Sequence, residues 1–422
     1  MVVSSSNRLI DVVNSIIIDI IFSEDENRGL TDEEKRLIRL GLEGALLEEI
    51  LRALFEFERL NLSRIAWQVL NDNKDIISER TKYADARMGD IGVMIYFLSQ
   101  YLDGFSEKVL MDIKDIIQRK LDSDCVDEVI IFLKSMYSAD MHEKITELIS
   151  DRLTRRIRNM SLSELIKLLF WMPKYAFERV LDLAKDLIRK RFSSMAPEQI
   201  RIFLLALGIK NRTKLDIFLE HMGDIAYLAG FKDSEVAKLL RTKKEIGKAP
   251  INLIIIFHSS IEQQDREMVI STVKETFKVN IKTEELPSMV ESVIDSFNIK
   301  GIYQGHYIVD TLSVLYDDIF LFVAPYKLLA EEVFIEEDFY NPTFEGGEGM
   351  CGIGAIVSIP SEKATDKKIY IYNVVKHELG HVFGLEYHCE NDCVMGELQD
   401  KPMRFCPRCR QMLIKKGILK KP

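Results

Sequence analysis

Five apolar positions, Val93, Val129, Leu165, Ile200 and Val236, recur at separations of 36, 36, 35 and 36 residues. Each opens the apolar stripe of a helix, which continues as Tyr96-Phe97, Phe132-Leu133, Leu168-Leu169, Phe203-Leu204 and Leu239-Leu240. A second helix recurs around Leu110, Ile145, Val180 and Leu215. A two-helix unit cannot bury its apolar face alone and must stack on its neighbours, so this period predicts an α-solenoid-like helical repeat. An ordinary amphipathic bundle produces isolated coincidences of the same kind; agreement of several registers at once favours the repeat. Residues up to about Asp90 are helical in pattern but match the period poorly, as a capping region does. Solenoids present extended surfaces, so a protein partner on the helical repeats is one expectation. Packing against the chain's own C-terminal part is the other.

The helical pattern runs to about Lys248 with only Pro173 and Pro197 inside it, and strand signals are absent there. Lys243, Lys244 and Lys248 then precede Pro250, and the period changes to that of a strand. The expected domains are therefore 1–248, all-α, and 249–422. In the second, strands are predicted at 251–257, 279–282, 319–324 and 354–359, with helices at 261–277 and 304–316. Alternating strands and helices imply an α/β domain with a mixed, mostly parallel sheet.

A length of 422 residues suits more than one domain, and 47% hydrophobic with 29% charged residues is a water-compatible balance. The net charge of -10 argues against nucleic acid as the main partner, since phosphate contacts need clustered Lys and Arg. No membrane partner is expected either, because no run is long enough to span a bilayer. The apolar stretch from Met1 to Ile21 is broken by Asp11 and Asp19, with no basic residue before Arg8 and no cleavage site after it. It reads as a helix rather than a leader, and a cytoplasmic location is expected. Of six cysteines, four crowd at Cys389, Cys393, Cys406 and Cys409, which suggests metal rather than disulfides. Cys125 reads as a small buried hydrophobe, and Cys351 as a free thiol. His142, His221, His258 and His306 read as ordinary surface or core polar residues.

The sequence His377-Glu378-Leu379-Gly380-His381 follows a proline-free helical approach. Residues four apart share a helix face, so His377 and His381 can reach one ion. Glu378 lies beside the first ligand, where a carboxylate can take the proton of an attacking water. Gly384 comes where a left-handed residue can stop the helix and turn the chain back, and His388 follows as a third imidazole. Met395 reads either as a methionine in a turn beneath the metal or as a buried gap-filler.

HELGHVFG, His388-Cys389, Cys393-Val394-Met395 and Cys406-Pro407-Arg408-Cys409 together resemble the signature of the archaemetzincins, a metzincin family. The resemblance implies a zinc metallopeptidase with Zn2+ at two sites per chain. One is catalytic, on His377, His381 and His388. The other is structural, on Cys389, Cys393, Cys406 and Cys409, and pins the loop that carries the third His and the methionine. In the family the third His usually comes three residues after the Gly; here Tyr387 holds that place and His388 is four after. Three residues, not the usual four, separate Cys389 from Cys393, so a local bulge can absorb the shift. The run from Met395 to Cys406 is also shorter, which trims the primed side of the cleft. Weaker similarity at 300–307 and 345–359 implies a further family helix and an edge strand above the cleft. In metzincins that strand pairs with an extended substrate, and Gly346, Gly347 and Gly349 would let its approach flex. The expected function is hydrolysis of peptide or protein substrate by a metal-activated water with Glu378 as general base. A non-catalytic, zinc-stabilised adaptor whose helical repeats bind a partner is the alternative.

Overall fold

Helices account for every regular element before Ile251 among the described residues, as the three- and four-residue spacing of the apolar side chains requires. The computed structural model describes residues 8–21, 28–83, 85–102, 104–232, 251–316, 318–329, 344–359, 367–385, 389, 393–396 and 401–419. The chain separates into two units, dividing between Leu187 and Ile188. The expected boundary at 248, and Val236 of the repeat, lie outside the described residues.

In the first unit the leading helices are α1 (Arg8–Ile21), α2 (Asp32–Gly44), α3 (Leu47–Arg59), α4 (Ser63–Asp72) and α5 (Lys74–Arg80). Then come α6 (Met88–Tyr101), α7 (Phe105–Asp112), α8 (Lys114–Ser123), α9 (Val126–Ser138), α10 (His142–Asn159) and α11 (Leu162–Trp171), and α12 (Lys174–Phe192) crosses the division. Helix starts are written locally: Thr31 with Glu34, and Ser161 with Glu164, form reciprocal capping boxes at α2 and α11. α6 packs on α9, α9 on α11, and α8 on α10. Val93, Val129 and Leu165 are buried in these contacts. Polar links join segments 36–42 residues apart. The N–H groups of Met88 and Gly89 at the start of α6 donate to Asp124 Oδ2 (2.8 Å) and Glu128 Oε2 (3.0 Å). Lys167 pairs with Asp127 at 2.9 Å, and the Tyr175 hydroxyl donates to the Leu133 carbonyl at 3.0 Å. Cys125 is exposed rather than buried, because it is the N-cap residue of α9, where side chains face water.

The second unit begins with the end of α12 and with α13 (Pro197–Lys210) and α14 (Arg212–Leu228). The α/β part follows: β1 (Ile251–Phe257), α15 (Gln263–Thr276), β2 (Val279–Glu285), α16 (Ser288–Ile294), β3 (Ile302–Gln304), α17 (Gly305–Ser313), β4 (Ile319–Ala324) and β5 (Lys327–Leu329). It closes with β6 (Phe344–Glu345), β7 (Gly347–Met350), β8 (Gly354–Ser358), α18 (Lys367–Val382) and α19 (Pro407–Lys415). The main sheet has the order β2-β1-β4-β8-β7. All neighbours are parallel except β7, which pairs antiparallel with β8 and forms the edge. β3, β5 and β6 form a small second sheet.

β4 is buried at every residue, as a central parallel strand covered on both faces must be. One face meets α15 and α18 through Leu253, Ile255, Leu321, Val357, Val273 and Leu379. α13 packs on α16 and α17, with Gln199 Nε2 donating to Ser292 Oγ at 3.1 Å. By its contacts this helix therefore belongs with the sheet, although its sequence follows the helical period.

Candidate metal centre

α18 carries both histidines of the HELGH motif on one face. Their Nε2 atoms lie 3.1 Å apart. The Nδ1 atom of His377 is 2.7 Å from the Val394 carbonyl, and that of His381 is 2.8 Å from the Leu385 carbonyl. A carbonyl oxygen only accepts, so each Nδ1 carries the proton and donates it. Both Nε2 lone pairs then face one another across 3.1 Å. Two lone pairs at that distance repel unless a cation lies between them. Zinc–nitrogen bonds of about 2.0–2.1 Å span such a gap at an angle of about 100°, a little under the tetrahedral value, so these residues fit zinc.

The helix ends as its glycine predicts. Gly384 has φ 86°, its N–H donates to the His381 carbonyl at 2.9 Å, and the Leu385 N–H donates to the Gly380 carbonyl at 2.9 Å. This is a Schellman turn. Beneath the helix lies Met395, fully buried, and a Cβ on Gly380 would stand 2.3 Å from its sulfur. The methionine turn thus presses directly on the helix between the two histidines, and its neighbour Val394 supplies the carbonyl that orients His377.

Glu378 is buried against β7. A Cβ on Gly347 would lie 2.6 Å from Glu378 Cγ, and one on Gly349 would lie 2.5 Å from the Glu378 carbonyl and 3.0 Å from His381 Cβ. These glycines serve close approach: alternate residues of β7 face α18, and only hydrogen fits there. Nearby, the Tyr370 hydroxyl donates to the Ser358 carbonyl at 3.0 Å. Burial first, and the Glu378 charge second, push that phenol up to about 12, so it stays a donor.

The four cysteines converge. Their sulfurs all lie within 4.8 Å of one another, with Cys389 Sγ 3.3 Å from Cys409 Sγ and 4.0 Å from Cys406 Sγ. Zinc–sulfur bonds of about 2.3 Å in a tetrahedron give edges of about 3.8 Å, so this donor set also fits zinc. Cys406 caps α19, accepting from the Cys409 N–H at 3.5 Å. Burial pushes its thiol up, but that N–H and the neighbouring sulfurs outweigh burial and bring it down to about 7. The Cys389 N–H donates to the Met395 carbonyl at 3.0 Å, which ties this cluster to the methionine turn.

Of the expected site residues, His377, Glu378, His381 and the four cysteines are brought together, while His388 and Tyr387 lie outside the described residues. Cys351 sits beside Gly384, its sulfur 3.6 Å from where a Cβ there would be. Sequence reading missed the orienting carbonyls of Val394 and Leu385, because backbone acceptors leave no mark on residue type. It also gave Gly347 and Gly349 no packing role, whereas both stand where only hydrogen fits.

The sequence profile of Peptidase family M54 matches residues 275–416. The archaemetzincin of Methanopyrus kandleri is 31% identical over 151 residues, covering 77% of that protein and 32% of this chain. The chain belongs to the archaemetzincin family. It is a zinc metallopeptidase and not merely a zinc-stabilised adaptor, and its substrate is a peptide or a protein. The crystal structure of the archaemetzincin from Archaeoglobus fulgidus is similar at 24% identity, covering 38% of this chain and 99% of that one, with a TM-score of 0.28. The archaemetzincin profile begins within α15, so the helical unit before Ile188 lies outside the match. Among the described residues no helix is long and apolar enough to cross a membrane.

Proposed function

We propose that His377 and His381, with His388 as third ligand, hold a catalytic zinc, that Glu378 is the general base, and that Cys389, Cys393, Cys406 and Cys409 hold a second, structural zinc. The reading is carried by the opposed Nε2 atoms of His377 and His381, each aimed by a carbonyl behind it. Zinc, when bound, supplies an acidified water and a Lewis acid for the scissile carbonyl. Glu378, carried on α18 and packed against β7, takes the proton from the attacking water and delivers it to the leaving amine. β7 is the edge of the main sheet, and an edge strand is suited to pairing with an extended substrate.

Glu378→Gln is the test. It should lower kcat by about 10²–10⁴-fold while both zinc ions remain; undiminished cleavage, or zinc held by the cysteines alone, overturns the assignment. The first unit is read as a stacked helical repeat that binds a substrate or partner protein, supported by the α6–α9–α11 packing and the α8–α10 contact. The domains would then be 1–248 and 249–422. A cytoplasmic setting is supported by six cysteines free of disulfides.

A further inference from the structure

His258 follows β1 directly, and its ring is buried at 7% exposure. Its Nε2 atom is sealed from solvent and has no hydrogen-bond partner. That atom points between two carboxylates, 3.5 Å from Glu291 Oε1 and 3.4 Å from Asp295 Oδ1. Both separations are too long for hydrogen bonds, which for nitrogen and oxygen run to about 3.2 Å. They match the edge of a tetrahedron with metal–ligand bonds of about 2.0–2.2 Å, which is about 3.4 Å.

We propose that His258, Glu291 and Asp295 form a further site for a divalent transition cation, zinc fitting best, distinct from the two sites of the peptidase centre. Each ligand is steadied from behind, as metal ligands usually are. Ser259 donates to Glu291 through Oγ (2.5 Å) and N–H (3.0 Å). The Tyr326 hydroxyl donates to Asp295 Oδ1 at 2.6 Å. His258 Nδ1 lies 2.7 Å from Ser260 Oγ, and donation there leaves the Nε2 lone pair for the ion. The opposite tautomer, with Nδ1 accepting from the Ser260 N–H at 3.1 Å, would turn Nε2–H toward the carboxylates and exclude a metal.

Charge and position point the same way. Among the described residues neither carboxylate is paired with Lys or Arg; Arg266, close in sequence, pairs with Glu285 and reaches only the carbonyls of His258, Ser259 and Ile261. Two carboxylates that converge on one imidazole nitrogen repel one another, and a cation held among them offsets that repulsion. β2 lies on one side of β1 and β4 on the other, so the strand order reverses between β1 and β4, which run parallel. Open α/β sheets bind ligands beyond the carboxyl ends of strands at such a reversal. His258 and Tyr326 both lie there. The Asp295 side chain is 41% exposed, which leaves a fourth coordination position reachable by water or a small anion.

The test uses the full chain saturated with zinc and then dialysed. Anomalous maps at the zinc edge should show a peak about 2.0–2.1 Å from His258 Nε2. Elemental analysis of Glu291→Gln and of Asp295→Asn should find one zinc equivalent fewer than in the unaltered chain, with the cysteine-bound and HELGH-bound ions retained. Equal zinc in all three proteins overturns the proposal. So does a map without the peak, or a peak that disappears on dialysis as an adventitious ion only, and the map decides alone if either variant fails to fold.

Discussion

Gly347→Ala adds one methyl where β7 meets the base of the peptidase centre. The new carbon would stand 2.5 Å from the Ile356 carbonyl oxygen, 2.6 Å from Glu378 Cγ and 2.9 Å from its Cδ. Carbon atoms settle at about 3.5 Å or more, so the Glu378 contact is short by about 0.9 Å. The strand cannot simply retreat. Gly347 is registered opposite Val357, and the Ser358 N–H donates to the Gly346 carbonyl at 2.8 Å. The carboxylate must therefore swing away, or the β7–β8 ladder must open. Overpacking of this kind costs about 1–3 kcal/mol of stability. Displacing a catalytic group by about 1 Å costs on the order of 10²-fold in rate. In an assay with an internally quenched peptide, kcat/KM should fall by about that factor while the zinc content holds. Gly346→Ala is the control: its added carbon meets Val374 Cγ2 at 2.8 Å and the Tyr370 hydroxyl at 3.2 Å, both on side chains that can give. It should lose distinctly less activity. Wild-type kcat/KM and an unchanged Tm in Gly347→Ala would refute the close-packing argument.

Asp124→Ala removes the carboxylate that accepts the Met88 N–H from the next helical pair, and should lower stability by about 1 kcal/mol in denaturant titration, as loss of a helix cap does. Cys406→Ser should lose one zinc equivalent and lower Tm, with the HELGH ion weakened in turn because Cys389 and Met395 are hydrogen-bonded; a zinc content equal to that of the unaltered chain in elemental analysis would contradict the four-sulfur site. Burial raises the Asp310 carboxyl to about 6, so its folded state holds the proton more tightly than the unfolded chain. Its contribution is fully present below the unfolded carboxylate value and is lost as pH rises through about 6; Asp310→Asn should flatten the fall in stability between pH 4 and 7, read by thermal melts across that range.

The main α/β elements were legible in the sequence because long apolar runs and helical spacing leave a periodic trace. The expected strand at 251–257 is β1, and 354–359 is β8 but for its last residue. β3 and β5, three residues each, are too short for any alternation to register. α19 was missed for another reason: the CPRC segment reads as a metal knuckle, yet Pro407 at its first position also starts a helix. The motif itself was legible because metal-binding chemistry calls for His or Cys at fixed spacing. The parts that aim those ligands were not, since Val394 and Leu385 act through main-chain oxygen and any residue type could do so. His258 shows the complementary case: nothing in its neighbourhood along the chain announces Glu291 and Asp295, which the fold brings from 33 and 37 residues away.

At Gly384 punctuation and chemistry share one bend. The reversal that brings the Leu385 N–H back to Gly380 also carries the Leu385 oxygen to the imidazole of His381. A side chain there that disfavours φ 86° would shorten nothing visible in a helicity measurement, yet it would release the ring to rotate and exchange its tautomer. The damage would surface as a weaker grip on the ion, far more than as a lost turn of helix.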